Sequence, residues 1–166
     1  MPSVISHADV PEMKFLCDEM LSRLGRWLRA AGYDTVIAET GQPDRQLIEQ
    51  ALRERRLLLT RDRKLTEFRR AAGCVDIVAA DKVEQQAMEV TRRHAIDWLH
   101  APFSRCLVCN SSLVTADPAR RAEIPPFSRD QATGLLTCSG CGRLYWDGSH
   151  VRRMRIRLER WQHIDR

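Results

Sequence analysis

Two C-x2-C pairs are the residues whose spacing most specifically predicts a chemical role. They comprise Cys106, Cys109, Cys138 and Cys141, in the segments CLVC and CSGC. Each pair can supply two thiolates from one tight turn, and four thiolates suit a tetrahedral Zn²⁺ ion. Because four protein ligands leave no position for water, the spacing predicts a structural zinc site rather than a catalytic one. A rubredoxin-like iron site is the alternative.

Acidic residues in the first half of the chain follow short apolar runs. The clearest case is LLLTRD (57–62), where a predicted buried strand ends in a carboxylate. Asp18, Asp44, Asp62 and Asp81 follow four successive predicted strands. Carboxylates brought together repel one another unless a cation neutralises them, and oxygen ligands suit Mg²⁺ or Mn²⁺. We therefore predict that these four aspartates are catalytic, with Asp18, Asp44 and Asp62 as ligands of Mg²⁺ or Mn²⁺.

The elements that must position these aspartates alternate between strand and helix over the first hundred residues. The predicted strands cover residues 13–17, 35–38, 57–60 and 75–80. Apolar residues at helical spacing follow each strand, and the third of these helices is predicted at 64–73. Strands joined by helices form a mostly parallel sheet that is covered on both faces. The ligand site of such a sheet lies at the carboxyl ends of its strands, so the four aspartates would share one edge.

Other roles are open for some of these acids. Asp44 and Asp81 stand at predicted helix starts, where a carboxylate also caps the helix and complements its dipole. Glu19, next to Asp18, can face either the pocket or the solvent. The aspartates after the first and third strands are therefore the stronger candidates for a metal site.

The net charge of +5 is concentrated in the C-terminal part of the chain, where arginines outnumber acidic residues. This asymmetry predicts a polyanionic partner, with nucleic acid favoured over a membrane surface. The residues predicted to bind RNA are Arg23, Arg26, Arg61, Arg63, Lys64, Arg152 and Arg153. Phosphates that approach a metal site need flanking cations of this kind, although a solvated helix face has the same composition.

Membrane association and export are not indicated. No apolar run approaches the roughly 18 residues that a membrane-spanning helix needs. The first residues, MPSVISHADVPEMK, lack the basic and apolar regions of a signal peptide. We therefore expect no membrane partner and a cytoplasmic location, while the sequence identifies no protein partner.

Four segments of the chain resemble, in the same order, the Mut-seven C-terminal RNase family. They are FLCDEMLSRLGRWLRAAGYDT, LLLTRD, RCLVCN and CSGCGRLYWDGSH, and the likeness covers roughly residues 13–160. The resemblance implies an α/β fold in which a PIN-like parallel sheet is flanked by helices and followed by a small four-cysteine zinc ribbon and a C-terminal helix. We expect an N-terminal tail (1–12), a PIN-like nuclease domain (13–100) and a zinc ribbon with a basic C-terminal helix (101–166).

The resemblance also implies an activity. PIN-type nucleases use carboxylates at the ends of parallel strands to bind Mg²⁺ or Mn²⁺ and cleave RNA. By resemblance, Asp18 matches the first acid and Asp62 the acid of the T-x-D element. Asp44 matches the helix-borne acid, for which Glu49 is the alternative. The prediction is a metal-dependent ribonuclease of endonucleolytic type, whose zinc ribbon aids RNA binding or domain stability.

Two other function classes are compatible with parts of this pattern. One is a non-catalytic RNA- or ribosome-binding module on a PIN-like fold. The other is a phosphoacceptor receiver domain, which also places acids after its first and third strands. A receiver domain needs a lysine after a later strand, and the chain has none after residue 82. The ribonuclease is therefore preferred.

Overall fold

The computed structural model describes residues 12–163, so most of the predicted N-terminal tail lies outside the described residues. Within this range the chain forms two sheets and five helices, joined by loops and short 3₁₀ segments. The strands are β1 (Phe15–Cys17), β2 (Thr35–Ile37), β3 (Leu57–Thr60), β4 (Val75–Ile77), β5 (Leu113–Thr115), β6 (Thr133–Cys138) and β7 (Leu144–Asp147). The helices are α1 (Ser22–Ala31), α2 (Asp44–Glu54), α3 (Val83–His94), α4 (Pro126–Arg129) and α5 (Ser149–Gln162). No helix in this part of the chain is long and apolar enough to cross a membrane.

The first sheet has four parallel strands in the order β2-β1-β3-β4. Its central strands consist of the apolar runs FLC and LLLT, which are almost wholly buried because helices cover both faces. On one face Leu24 and Leu28 of α1 and Val90 of α3 share a core with Phe15. On the other face α2 contributes Leu47 to a second core. The predicted α/β fold, a parallel sheet flanked by helices, is confirmed.

The second sheet is antiparallel, in the order β5-β6-β7, and helix α5 follows it. The apolar residues Met154, Leu158 and Trp161 of α5 are buried in the same core as α1 and α3. The ring of Trp161 lies 4.9 Å, centroid to centroid, from the rings of both Trp27 and Trp98. The C-terminal helix therefore packs against the helices of the parallel sheet.

The predicted helix over residues 64–73 is wrong. Two 3₁₀ segments occupy this region, Arg63–Glu67 and Arg69–Ala71. Between them Phe68 is extended (φ −75°, ψ 121°) and 41% exposed. The segments reach the core through Leu65 and Ala71, whose i and i+6 spacing would place them on different faces of an α-helix. A continuous helix could therefore not bury both residues.

Arg29 is a buried cation that joins α1 to the cysteine-containing part of the chain. Only 5% of the residue is exposed. Its Nε donates to the carbonyl of Thr35 at 2.8 Å, and its Nη1 donates to the carbonyls of Leu107 and Val108 at 3.0 and 2.8 Å. Leu107 and Val108 are the two residues inside the first C-x2-C pair. These acceptors compensate the guanidinium for its lost water, and they fix the first cysteine turn against the end of α1.

Asn110, which follows the first C-x2-C pair, makes a second connection to the parallel sheet. Its left-handed backbone (φ 71°) reverses the chain after the cysteine turn. Its side-chain oxygen accepts from the Thr35 N–H at 3.0 Å, and its side-chain nitrogen donates to the Asp34 carboxylate at 2.7 Å. Arg56 donates to the same carboxylate at 2.8 Å. Burial disfavours the charge of Asp34, but the hydrogen bonds from Arg56 and Asn110 outweigh it and hold the pKa of Asp34 below its usual value.

Replacement of Arg29 by methionine removes three hydrogen bonds and leaves the acceptor carbonyls without their donor. We expect Arg29→Met to lower the free energy of unfolding by about 3 kcal/mol, since each hydrogen bond to a charged group contributes about 1.5–3 kcal/mol and the losses are not additive. Urea denaturation followed by circular dichroism measures the change. Arg26→Met, on the exposed face of the same helix, is the control and should change stability by less than about 0.5 kcal/mol. Equal stability of the two variants would contradict this role of Arg29.

Candidate active site and metal centre

The carboxyl ends of β1, β2 and β3 lie side by side, and each is followed by a carboxylate that lines one shared cavity. Asp18 follows β1 directly, Glu39 lies two residues beyond β2, and Asp62 lies two residues beyond β3. Helix α2 contributes Asp44 from its first turn, and Glu19 completes the acidic lining. The cavity has a volume of about 110 Å³. We refer to it as the acidic cavity.

The acidic cavity has no cationic lining among the residues that the structure describes. Its remaining walls are formed by Met20, Ala38, Gly41, Gln42, Leu47 and Leu65. Five carboxylates therefore surround one small volume with no arginine, lysine or histidine on its wall. Their mutual repulsion favours the binding of a cation, and an all-oxygen donor set fits Mg²⁺ or Mn²⁺.

Asp18 is the most constrained of these carboxylates. It is only 6% exposed. Its Oδ1 accepts from the Leu21 N–H at 3.2 Å, and its Oδ2 accepts from the Arg61 N–H at 3.2 Å and from the Thr60 hydroxyl. The fully buried Thr60 also accepts from the Asp62 N–H at 3.0 Å. Thr60 thus joins the segments after β1 and β3, so the two aspartates are held in a defined relation.

The other acids are held less tightly. Asp62 caps the following 3₁₀ segment, because its Oδ1 accepts from the Lys64 N–H at 2.9 Å. Glu19 accepts from the Gly41 N–H at 3.2 Å and so fixes the loop after β2. Asp44 lies in the first turn of α2, where the helix dipole favours its charge. The structure thus brings Asp18, Asp44 and Asp62 to one cavity.

Glu39 is a candidate residue that the sequence analysis missed, and Glu19 lines the cavity although its direction was left open. A signal for Glu39 exists in the sequence. It stands two residues after β2, as Asp62 does after β3, and directly after the strand predicted at 35–38. Asp44, at the start of the next helix, is instead the acid predicted for this connection.

Asp81 and Glu49 do not line the acidic cavity. The Asp81 side chain is 83% exposed and forms an ion pair with Arg61. Glu49 lines a neighbouring groove and pairs with Arg45 at 3.5 Å. The structure therefore separates the predicted catalytic residue Asp81 from the other three aspartates, because β4 is the edge strand beyond β3, whereas the cavity lies at the ends of β2, β1 and β3.

The four cysteines of the two C-x2-C pairs form a compact cluster. Among residues 12–163, they are the group of three or more Cys, His, Asp or Glu residues whose ligand atoms all lie within 4.8 Å of one another. The Sγ atoms of Cys106 and Cys141 are 3.7 Å apart, and those of Cys109 and Cys138 are 3.2 Å apart. Tetrahedral zinc with Zn–S bonds of about 2.3 Å requires separations of about 3.8 Å, so the cluster could hold such an ion.

Hydrogen bonds to sulfur prepare this cluster for a metal. The Cys109 N–H points at the sulfur of Cys106 at 3.5 Å, and the Cys141 N–H points at that of Cys138 at 3.4 Å. Hydrogen bonds from Ser111 lower the pKa of Cys109 to about 6, which favours its thiolate. The Arg143 amide also favours the thiolate of Cys141, but hydrogen bonding with Cys138 and burial raise the pKa of Cys141 to about 11. A metal that binds all four sulfurs would displace protons from the cluster.

The predicted RNA-binding residues lie on several surfaces. Arg23 and Arg26 are exposed on α1, and Arg152 and Arg153 are exposed on α5. Arg63 and Lys64 are also exposed and directly follow the cavity residue Asp62 in the sequence. The guanidinium group of Arg61 forms an ion pair with Asp81. Two other arginines of α5 have structural contacts, since Arg155 packs over Phe103 and Arg157 packs over Trp27. The exposed cations are therefore distributed around both sheets rather than gathered in one patch.

The acidic cavity and the cysteine cluster both lie within a segment that matches a known protein family. The sequence profile of the Mut7-C RNAse domain matches residues 13–158. This chain belongs to the Mut7-C RNAse domain family. It is also 34% identical, over an alignment of 218 residues, to a Homo sapiens protein named "Exonuclease mut-7 homolog". That alignment covers 85% of this chain and 25% of the human protein, so the chain spans about a quarter of that relative's length.

No solved structure matches this Mut7-C chain significantly. The predicted family is confirmed, and it is a nuclease family. In this Mut7-C chain the acidic cavity is the candidate active site, because it gathers carboxylates at the edge where parallel sheets bind their ligands. The cysteine cluster is the candidate metal centre of the ribbon.

Removal of one cysteine ligand tests the metal centre. We expect purified protein to carry one zinc ion per chain and Cys106→Ser to lose most of it, as measured by elemental analysis. Because a structural ion stabilises only the folded state, the melting temperature should fall by about 10 °C, which corresponds to a loss of about 3 kcal/mol. Cys74→Ser, a half-buried cysteine outside the cluster, is the control and should keep its zinc. Full zinc content in Cys106→Ser would contradict the assignment.

Proposed function

We propose that this protein is a metal-dependent ribonuclease that hydrolyses RNA phosphodiester bonds at the acidic cavity. The observation that carries the proposal is the lining of that cavity, which has five carboxylates and no cationic side chain among the described residues. The name of the matched family, Mut7-C RNAse domain, supports RNA as the substrate. The name of the human relative, an exonuclease, supports cleavage of a nucleic acid.

Asp18, Asp44 and Asp62 are the residues that would hold Mg²⁺ or Mn²⁺, and Glu39 extends the donor set. Such an ion, when bound, lowers the pKa of a coordinated water and stabilises the charge that develops on the phosphate. Asp18 provides a fixed anchor, since its three hydrogen bonds hold both carboxylate oxygens. Asp44 and Glu39 are more exposed than Asp18, and whichever of these two carboxylates is not bound to the ion would accept the proton of the attacking water.

The remaining predicted residues have supporting roles in this proposal. Arg63 and Lys64 directly follow Asp62 and are exposed, so they can contact the phosphates that flank the cleaved bond. Arg61 and Asp81 form an ion pair at the same edge, and we assign them to that pair rather than to catalysis. The zinc ribbon stabilises the fold through Arg29 and Asn110 and carries additional cations on α5.

One observation favours a second candidate, a non-catalytic RNA-binding module. The carboxylates of the acidic cavity line a common volume, but among residues 12–163 they do not bring three or more ligand atoms within 4.8 Å of one another as the cysteines do. A domain with this wider spacing could bind RNA without holding a productive metal ion. Cleavage assays separate the two functions.

Substitution of the cavity aspartates tests the nuclease proposal. We expect wild-type protein to cleave end-labelled single-stranded RNA with Mn²⁺ or Mg²⁺, and Asp18→Asn and Asp62→Asn to reduce the rate at least about hundredfold, because each loses a charged metal ligand. Asp81→Asn, which lies outside the cavity, should retain most of the activity. Circular RNA of the same sequence reports whether cutting is endonucleolytic, as the sequence analysis expected.

Retention of RNA without any cutting by wild-type protein would favour the binding module instead. Equal activity of Asp18→Asn and Asp81→Asn would remove the acidic cavity from the mechanism. Circular dichroism spectra of all variants must match that of the wild type for either conclusion to hold.

The Thr60 hydroxyl offers a test of how the two aspartates are positioned. Thr60→Val keeps the shape of the side chain but removes the donor to Asp18 and the acceptor for the Asp62 N–H. We expect kcat to fall about tenfold to hundredfold with little change in KM, because Thr60 contacts the aspartates and not the RNA. Thr60→Ser retains the hydroxyl and should restore most of the rate. A Thr60→Val protein with wild-type kcat would show that this link is dispensable.

A further inference from the structure

A second concave surface, the Phe68 groove, lies beside the acidic cavity. It has a volume of about 260 Å³. Its walls are Arg45, Ile48, Glu49, Phe68, Arg69 and Arg70. The groove combines an exposed aromatic ring with three arginines. These four residues belong neither to the acidic cavity nor to the hydrophobic core.

The Phe68 groove and the acidic cavity are formed by the same two segments of the chain. Helix α2 gives Asp44 to the acidic cavity and Ile48, one turn later, to the groove. The segment after β3 gives Asp62 and Leu65 to the acidic cavity and Phe68 to the groove. One turn of helix advances about 5.4 Å, so the residues that α2 gives to the two surfaces are about that far apart along the helix axis.

Phe68 is exposed in a segment whose other apolar residues pack in the core. It is 41% exposed, whereas Leu65 and Ala71 on either side are buried in the core. The backbone of Phe68 is extended between the two 3₁₀ segments, so Leu65 and Ala71 pack in the core while the ring of Phe68 stays at the surface. An exposed aromatic ring on a basic surface is the feature on which unpaired bases stack in single-stranded nucleic acid.

The charge of the groove also fits a nucleic acid backbone. Arg69 and Arg70 are exposed next to Phe68. Arg45 pairs with Glu49 at 3.5 Å, but its side chain is 81% exposed, and such surface pairs contribute little and are readily exchanged. Three arginines and one glutamate contribute to the groove, so the residues that form it carry more positive than negative charge. Planar guanidinium groups bind phosphates and also stack on bases.

We propose that the Phe68 groove binds an unpaired base of single-stranded RNA, which stacks on Phe68 while Arg69 and Arg70 contact the adjoining phosphates. This inference rests on the proposed function, because it places the strand so that a neighbouring phosphodiester enters the acidic cavity. A duplex cannot use the groove in this way, since its bases are already stacked and paired. The groove therefore selects single-stranded over double-stranded RNA.

Binding measurements test the groove separately from catalysis. Fluorescence anisotropy with a labelled single-stranded RNA, and with the matching duplex, gives Kd for proteins that also carry Asp18→Asn, so that the RNA stays intact. We expect Phe68→Ala to raise Kd for the single strand about tenfold, the effect of losing one base–aromatic stack, and to leave Kd for the duplex unchanged. Phe68→Trp should preserve the affinity. Arg69→Gln with Arg70→Gln should weaken the dependence of Kd on salt concentration.

Phe127→Ala is the matched control, because Phe127 is 84% exposed and lies away from the groove in α4. It should change neither Kd. An unchanged single-strand Kd in Phe68→Ala, an equal loss for single strand and duplex, or no measurable binding of single-stranded RNA by the parent protein would each overturn the proposal. Metal-dependent cleavage with a Kd indifferent to Phe68 would reject the groove alone. Binding that depends on Phe68, in a wild-type protein that cuts no RNA, would reject the nuclease function and keep the groove.

Discussion

The buried guanidinium of Arg29 is the contact on which the arrangement of the two sheets depends. A charge with 5% exposure is tolerated only where acceptors replace its water, and the carbonyls of Thr35, Leu107 and Val108 do so. Two of these carbonyls belong to the first cysteine turn, so the turn must be closed before Arg29 can be satisfied. The order of the cysteine cluster is thereby linked to the packing of α1, and through α1 to β1, the strand that Asp18 follows.

The acidic cavity follows from a different constraint, the geometry of a parallel sheet. The short, buried strands β1 and β3 end at the same edge, and the backbone beyond them has to turn within two residues. Thr60 connects both turns, since its hydroxyl donates a hydrogen bond to the Asp18 carboxylate and accepts one from the Asp62 N–H. Carboxylates that would repel one another in isolation are in this way fixed by neutral partners. Among residues 12–163, no side chain on the cavity wall supplies a compensating positive charge.

The sequence predicted the four strands, their parallel pairing and a shared edge for Asp18, Asp44 and Asp62, because alternating apolar runs and helical spacing are local signals. It did not predict the strand order β2-β1-β3-β4. It failed at residues 64–73, where helical spacing of Leu65 and Phe68 did not reveal that Phe68 stays at the surface. It also grouped Asp81 with the cavity, although β4 is the edge strand beyond β3 and Asp81 pairs there with Arg61. In the contacts of Arg29 with the cysteine turn, the two partners are separated in sequence by 78 and 79 positions. No local pattern specifies such distant partners.

The packing of Trp161 between Trp27 and Trp98 has an optical consequence. Three of the four tryptophans of the chain share one cluster, at the junction where α5 meets the helices of the parallel sheet. The intrinsic tryptophan fluorescence of this protein therefore reports mainly on the contact between α5 and the helices of the parallel sheet. Any event that displaces α5 from these tryptophans, whether loss of a bound ion or binding of a large ligand, should change the intrinsic tryptophan fluorescence. No added dye is needed to detect it.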